Sequence, residues 1–272
     1  MYQTTYHRPK SIAEAASLFS GGGEAAYISG GHTLLPAMKA RLAAPENLID
    51  LRHVAELKGI ELTGDTVSIG GATTHADVSD SAEVKRAIST LAALAGSIGD
   101  AQVRHLGTIG GSVANNDPAA DYPAAVLALA GTVHTDRRKI EADQYFTGLY
   151  TTAREEGEIV TRVSFKIPET SGYAKFRNPA SRYPMAGVFV AKHKDGAIRV
   201  AVTGAGNDGV FRWSEAEQAL TRNFAAEALK DLTVPVSRMM GDIHGSPEYR
   251  ANLVQVMARR AIQHQGTALA MI

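Results

Sequence analysis

GTIGGSVANNDPAADYP, residues 107–123, is the stretch whose reading decides the fold. It sets Gly107, Gly110 and Gly111 close together and follows them with Ser112, Asn115, Asn116, Asp117, Pro118, Asp121 and Pro123. Glycine tolerates positive φ and lets other atoms approach the backbone closely. Short polar side chains and two prolines then give a stiff, hydrogen-bonding turn. Such a turn suits a cradle for phosphate or diphosphate, because adjacent amide N–H groups can converge on anionic oxygens. A lone Gly-Gly pair is also ordinary turn punctuation. The choice between the two depends on the rest of the chain.

Upstream, SGGHTLLPAMKARL (residues 29–42) reads as a strand end, a Gly30-Gly31 turn and a helix. Thr33 is placed as N-cap, and Pro36 falls in the first helical turn, where a missing N–H costs little. Neither glycine turn fits G-x-G-x-x-G or G-x-x-x-x-G-K-[ST], which disfavours a Rossmann fold and a P-loop. Two separate glycine turns in two small lobes suggest instead a diphosphate gripped between lobes. Ser11 and Glu14 form a capping-box pattern that starts a short helix, and strands are expected at 25–29 and 47–51. From about residue 52 the texture changes. A strand over 66–70 precedes a helix capped by Thr73 or Thr74, one Ala- and Leu-rich helix over 84–98 and the opening stretch. A helix over 122–129 and strands over 132–135 and 158–167 complete this part. Past a boundary at 168–172, the segments 173–177, 185–192 and 198–203 read as successive antiparallel strands. Ser214 is placed to cap a helix through Leu220, and Ser246-Pro247 opens the last one.

At 272 residues, with 44% hydrophobic and 21% charged residues, the composition is that of an ordinary globular protein. Lys plus Arg and Asp plus Glu balance at 28 each, so no general attraction to nucleic acid or anionic membrane is expected. The absence of cysteine excludes disulfides, thiolate chemistry and Cys-ligated zinc or iron–sulfur clusters within the chain. The first ten residues lack the apolar core of a signal peptide, and no run has the length of a transmembrane segment. A cytoplasmic location is the default. The nine histidines show no paired metal spacing, so no metal site is expected. No Gly-x-Ser-x-Gly is present, which leaves covalent hydrolysis without support.

SGGHTLLP at 29–36, IGDAQVRHLGTIGGSVANNDPAADYPAA at 98–125, NPASRYPMAGV at 178–188 and DIHGSPEYR at 242–250 occur in one order across essentially the whole chain. Together they resemble the FAD-binding medium subunit of the molybdenum hydroxylases, the xanthine dehydrogenase family, and especially its aerobic carbon monoxide dehydrogenase branch. The resemblance implies an α+β protein with the VAO/PCMH-type FAD-binding fold. Two FAD-binding lobes (1–55 and 56–168) precede a C-terminal domain (169–272) with an antiparallel sheet and helices. It places the FAD diphosphate against Ser29, Gly30, Gly31, His32, Thr33 and Leu34 on one side and Thr108, Ile109, Gly110 and Gly111 on the other. Asn115, Asp117 and Asp121 become hydrogen-bonding side chains for the sugar portion, with Lys175 and Tyr183 close to the flavin ring. No side chain need be an acid–base catalyst. The implied partners are a small subunit carrying [2Fe–2S] clusters and a large molybdopterin subunit, assembled as a dimer of heterotrimers. Electrons would pass from the clusters to FAD and on to an external acceptor.

Two departures stand out. Family members often read QVRNRGTIGG, whereas Gln102-Val103-Arg104-His105-Leu106 precedes the turn here, removing a positive charge beside the cradle. Residues 114–117 read ANND where AHAD is frequent. The benzoyl-CoA-reductase-like members hold an extra iron–sulfur cluster in this subunit, which a chain without cysteine does not. Two other readings stay open on sequence alone. One is a stand-alone flavin-dependent reductase or oxidase on the same fold, like UDP-N-acetylenolpyruvoylglucosamine reductase. The other is a scaffold subunit that binds no flavin.

Overall fold

In the computed structural model, which describes residues 2–271, three main sheets succeed one another along the chain. The first comprises β1 (Thr5–His7), β2 (Ala25–Ile28) and β3 (Asn47–Asp50), all parallel in the order β1-β3-β2. Parallel neighbours need crossovers, and α1 (Ile12–Ser20) and α2 (Leu34–Lys39) supply them. The Ser11 hydroxyl caps α1 by accepting from the Glu14 amide at 3.1 Å, while the Glu14 carboxylate accepts from Lys10 rather than completing the box on Ser11. Thr33 occupies the N-cap of α2 but makes no capping hydrogen bond through its side chain.

The second sheet is antiparallel throughout, in the order β4 (Ile60–Thr63), β5 (Thr66–Gly70), β10 (Val160–Lys166), β6 (Thr132–Thr135), β7 (Lys139–Glu141). Between β5 and β6 lie α3 (His75–Asp80), α4 (Ala82–Ala87), α5 (Ser89–Gly96), α6 (Ala101–Leu106), α7 (Ile109–Asn115) and α8 (Tyr122–Ala128). Thr74 caps α3 with a reciprocal capping box to Asp77. The single helix expected over 84–98 is two. Ile88, at φ −143° and ψ 74°, breaks it, and the bend puts Val84, Ile88, Leu91 and Leu94 into one core. After β7 come α9 (Ala142–Tyr145) and a small hairpin of β8 (Phe146–Gly148) and β9 (Thr151–Thr152), none of which the sequence pattern announces.

The third sheet runs β14 (Phe211–Arg212), β13 (Ile198–Thr203), β12 (Pro184–Lys192), β11 (Thr170–Arg177), β15 (Ala268–Met271). The expected antiparallel strands pair as β11, β12 and β13, and β15 joins β11 in parallel as an unanticipated edge. Nearly every residue of β12 is buried, because both faces of this strand are covered. One face meets α10 (Ser214–Arg222) and α11 (Pro247–Gln263) through Trp213, Leu220, Val254 and Met257. The other puts Tyr173, Phe189 and Ala201 into the core that holds Leu91, Val126 and Val163 of the second unit. Ser246 caps α11 with Pro247 in its first turn, whereas Ser214 lies inside α10, whose N-cap is Trp213.

Candidate functional site: a glycine-lined cleft between the lobes

The two glycine turns meet. A Cβ on Gly30 would lie 2.6 Å from both the Gly107 Cα and the Leu106 carbonyl oxygen, so only glycine lets the first turn rest on the second. Below them, a Cβ on Gly107 would lie 2.6 Å from His75 Nε2, and one on Gly110 would lie 2.5 Å from the Gly71 carbonyl oxygen. Thr108 links the turns directly, its hydroxyl donating to Ser29 Oγ at 3.0 Å. Gly111 differs. It is exposed to the cleft, and a Cβ there would meet only the Thr108 hydroxyl, at 3.0 Å.

The turns offer different chemistry. In the first, the N–H groups of Gly30, Gly31, His32, Thr33 and Leu34 donate to no protein group among the described residues. Gly31 at φ +75° bends this run so that it opens α2. A succession of free amides around a left-handed glycine is an anion-binding concavity. The second turn departs from the expectation that its amides converge on a ligand. Ile109 N–H donates to Thr73 O (3.1 Å), Gly110 N–H to Gly71 O (2.9 Å), and Gly111 N–H to the Thr108 hydroxyl (3.2 Å). The first two donors seat α7 on the segment that follows β5, and the third closes the Thr108 N-cap. What remains toward the cleft is the bare surface of Gly110 and Gly111.

Beyond α7, Asn115 and Asp117 line the cleft, and the Asp117 carboxylate accepts from the Ala119 amide at 2.9 Å in an Asx turn. Asp121 and Lys175, expected against the cofactor, lie behind the cleft wall instead. Both are buried, with Lys175 Nζ 2.8 Å from Asp121 Oδ1 and 3.0 Å from Ser97 O. The Tyr173 hydroxyl donates to the same carboxylate oxygen at 2.7 Å, and its own ionisation is pushed far up, first by burial and then by that charge. Ile109 likewise turns its side chain into the core. The intervening wall, Pro118–Ala120, hangs on the third sheet. Thr203 donates to Ala120 O at 2.6 Å, and the Gly204 amide donates to Pro118 O at 2.8 Å.

The third unit closes one end of the cleft. Tyr183 lines it, with its hydroxyl taking a hydrogen bond from Asn178 at 3.1 Å and its ring edge-on to His244. Arg250, almost wholly buried on α11, donates to Met185 O, Gly204 O and the Asp242 carboxylate, and so ties the 242–245 turn to the sheet. Arg104, on α6 just before the second turn, donates to Ile98 O at 2.9 Å and so caps the preceding turn. His75 is a cleft residue that sequence reasoning passed over. It is buried under Gly107, its pKa is lowered to about 4 by burial and then by His32 and Arg104, and its Nδ1 has no partner. Its signal lay in the Thr74 cap, which fixes where α3 begins.

The cleft measures about 1080 Å³, at the upper end of small-molecule sites, and its lining is mainly apolar with a substantial share of polar and charged groups. An elongated ligand with an anionic centre fits that combination, and FAD has this form. No group of three or more metal-ligating side chains occurs among the described residues, nor any helix long and apolar enough to cross a membrane.

Comparison with known proteins agrees with this geometry. Residues 2–170 match the family described as FAD binding domain in molybdopterin dehydrogenase. The chain is 34% identical to the carbon monoxide dehydrogenase medium chain of Hydrogenophaga pseudoflava, covering 94% of this chain and 95% of that protein. It is 37% identical to the nicotine 6-hydroxylase medium subunit of Paenarthrobacter nicotinovorans, covering 96% of each. Among solved structures, reconstituted CO dehydrogenase from Oligotropha carboxidovorans superposes with a TM-score of 0.88 at 33% identity, over 97% of this chain and 98% of that one.

Proposed function

Since this chain belongs to the family of FAD-binding domains of molybdopterin dehydrogenases, we propose that it works as the electron-transfer subunit of a cytoplasmic molybdenum hydroxylase. The chain itself is an FAD-binding subunit of an oxidoreductase. In the complex it receives electrons from [2Fe–2S] clusters on a small partner subunit and delivers them to an external acceptor. The substrate is hydroxylated on a large molybdopterin subunit, and the whole forms a dimer of heterotrimers. Bound FAD supplies the redox chemistry, exchanging one or two electrons. The protein's own task is to bind, orient and shield.

The observation that carries this reading is the run of five unpartnered amides, residues 30–34, facing the bare glycine surface of residues 110–111 across the cleft. Those amides would hold the diphosphate. Gly110 and Gly111 would let it pass close by, and Asn115 and Asp117 would take the sugar hydroxyls. Tyr183 would flank the ring. Asp121 and Lys175, paired behind the wall, would keep residues 117–120 in place without touching the cofactor. The relatives named for carbon monoxide and for nicotine share this subunit type, which fits a substrate pocket on another subunit.

Purification from the native source tests the proposal. The expected product is yellow, releases FAD on denaturation at about one per chain, and co-elutes with an iron–sulfur chain and a molybdenum chain. A colourless protein, or one that turns over a substrate alone, would refute it.

A further inference from the structure

We propose that Arg154 is a cofactor-binding residue that supplies the positive charge facing the FAD diphosphate from the lip of the cleft. The inference rests on the FAD reading above. A diphosphate brings negative charge, yet the turn at 30–34 offers only neutral amides, and Leu106 stands before the second turn where a cation would have served. The charge must come from elsewhere on the lining. Arg154 and Arg250 are the arginines that line the cleft among the described residues, and no lysine does. The Arg250 guanidinium is already matched by the Asp242 carboxylate at 2.7 Å.

Arg154 is not matched. One of its terminal nitrogens donates to the Glu158 backbone carbonyl, and its Nε is buried without a partner. No carboxylate among the described residues forms an ion pair with it: Glu158 accepts from Arg138 and Thr135, Glu155 pairs with Arg137 and Arg138, and the exposed Glu156 stays unpaired. That Nε is buried out of a ligand's reach, so the remaining terminal N–H groups of this un-neutralised guanidinium are what an anionic oxygen in the cleft would meet. The lip is also fixed relative to the amide turn. The Tyr27 hydroxyl donates to Gly157 O at 3.2 Å, and Tyr27 lies on β2, the strand that runs into residues 29–34.

Apo-protein of the full chain, titrated with FAD and with riboflavin at low and high salt, tests the assignment. Arg154→Gln should weaken FAD binding about tenfold at low salt, the scale of one charge-assisted hydrogen bond at a half-exposed site. The loss should shrink at high salt and vanish with riboflavin, which lacks phosphate. Arg154→Lys should keep most of the affinity, and unchanged thermal unfolding of both variants would show that the lip is intact. Wild-type FAD affinity in Arg154→Gln, or equal losses in the Gln and Lys variants, would overturn the inference. Wild-type protein that takes up no FAD would overturn the functional reading and this inference with it.

Discussion

Lys175→Met separates two roles for the pair behind the cleft wall. The Lys175 and Asp121 side chains are 0% and 5% exposed, and the carboxylate is met by the ammonium at 2.8 Å and the Tyr173 hydroxyl at 2.7 Å. Methionine keeps the stem's volume but leaves a buried carboxylate with one neutral donor. Breaking a buried pair from one side typically costs about 3–5 kcal/mol. At about 2–4 °C per kcal/mol for chains approaching this size, the melting temperature should fall by roughly 6–20 °C. Asp121→Asn should cost a similar amount, since the ammonium would keep only the Ser97 carbonyl. The double variant removes both charges and keeps an amide oxygen for Tyr173, so it should lose only about 1–2 kcal/mol. The cycle therefore predicts a coupling of at least about 4 kcal/mol, above the usual range for residues in direct contact because each single variant strands a buried charge. Urea unfolding of apo-protein reads this out through Trp213, the chain's single tryptophan and fully buried. If Lys175→Met apo-protein unfolds within about 1 kcal/mol of wild type while FAD affinity collapses, the side chain contacts the cofactor and the buried-pair reasoning fails.

Gly111→Val should fold normally yet purify without flavin, because its side chain projects into the cleft. Gly30→Ala should lose both flavin and stability, since its Cβ meets backbone at 2.6 Å; flavin content and thermal melts distinguish the two. His75 is held neutral, so the unfolded chain binds the proton first, and stability falls as pH drops from 6.5 toward about 4. That loss should reach about 3 kcal/mol, and His75→Gln should flatten it in urea midpoints measured across this window. Thr203→Val leaves the Ala120 carbonyl without its donor, which should cost about 1–3 kcal/mol and loosen FAD binding through the 118–120 wall, as checked by unfolding and flavin titration.

Much of this was legible wherever local chemistry governs. Ser11, Thr74 and Ser246 were identifiable as caps because a cap bond spans only three residues. Strands β5 and β13 lie where alternation placed them. What escaped depends on distant partners. The break at Ile88 is a tertiary choice, as the residue is pulled into a core assembled from segments far along the chain. Strand β15 exists because β11 offers it an edge. Asp121 and Lys175 are legible in the sequence as charges but not as a buried pair, because only the fold brings together positions 54 apart. Arg154, with neither a motif nor a helix around it, gave no signal at all.

The glycines that made the chain readable are mostly not there for the ligand. Gly30, Gly107 and Gly110 are demanded by protein atoms: one turn seats on another, on an imidazole and on the carbonyl of Gly71. Gly31 is demanded by its positive φ. Gly111 alone of these leaves its Cβ position open toward the cleft, with nothing nearer than a hydroxyl. The paired motif therefore encodes first the apposition of two lobes, and a diphosphate site follows because that apposition leaves the amides of residues 30–34 facing a surface without side chains. A phosphate loop that wraps its ligand with its own amides can stand alone on one strand and helix. Here the donors sit on one lobe and the clearance on the other, so neither turn can bind until the lobes are packed. Flavin loading should accordingly follow folding, and the substitutions that separate the lobes should cost more affinity than any that remove a single polar contact.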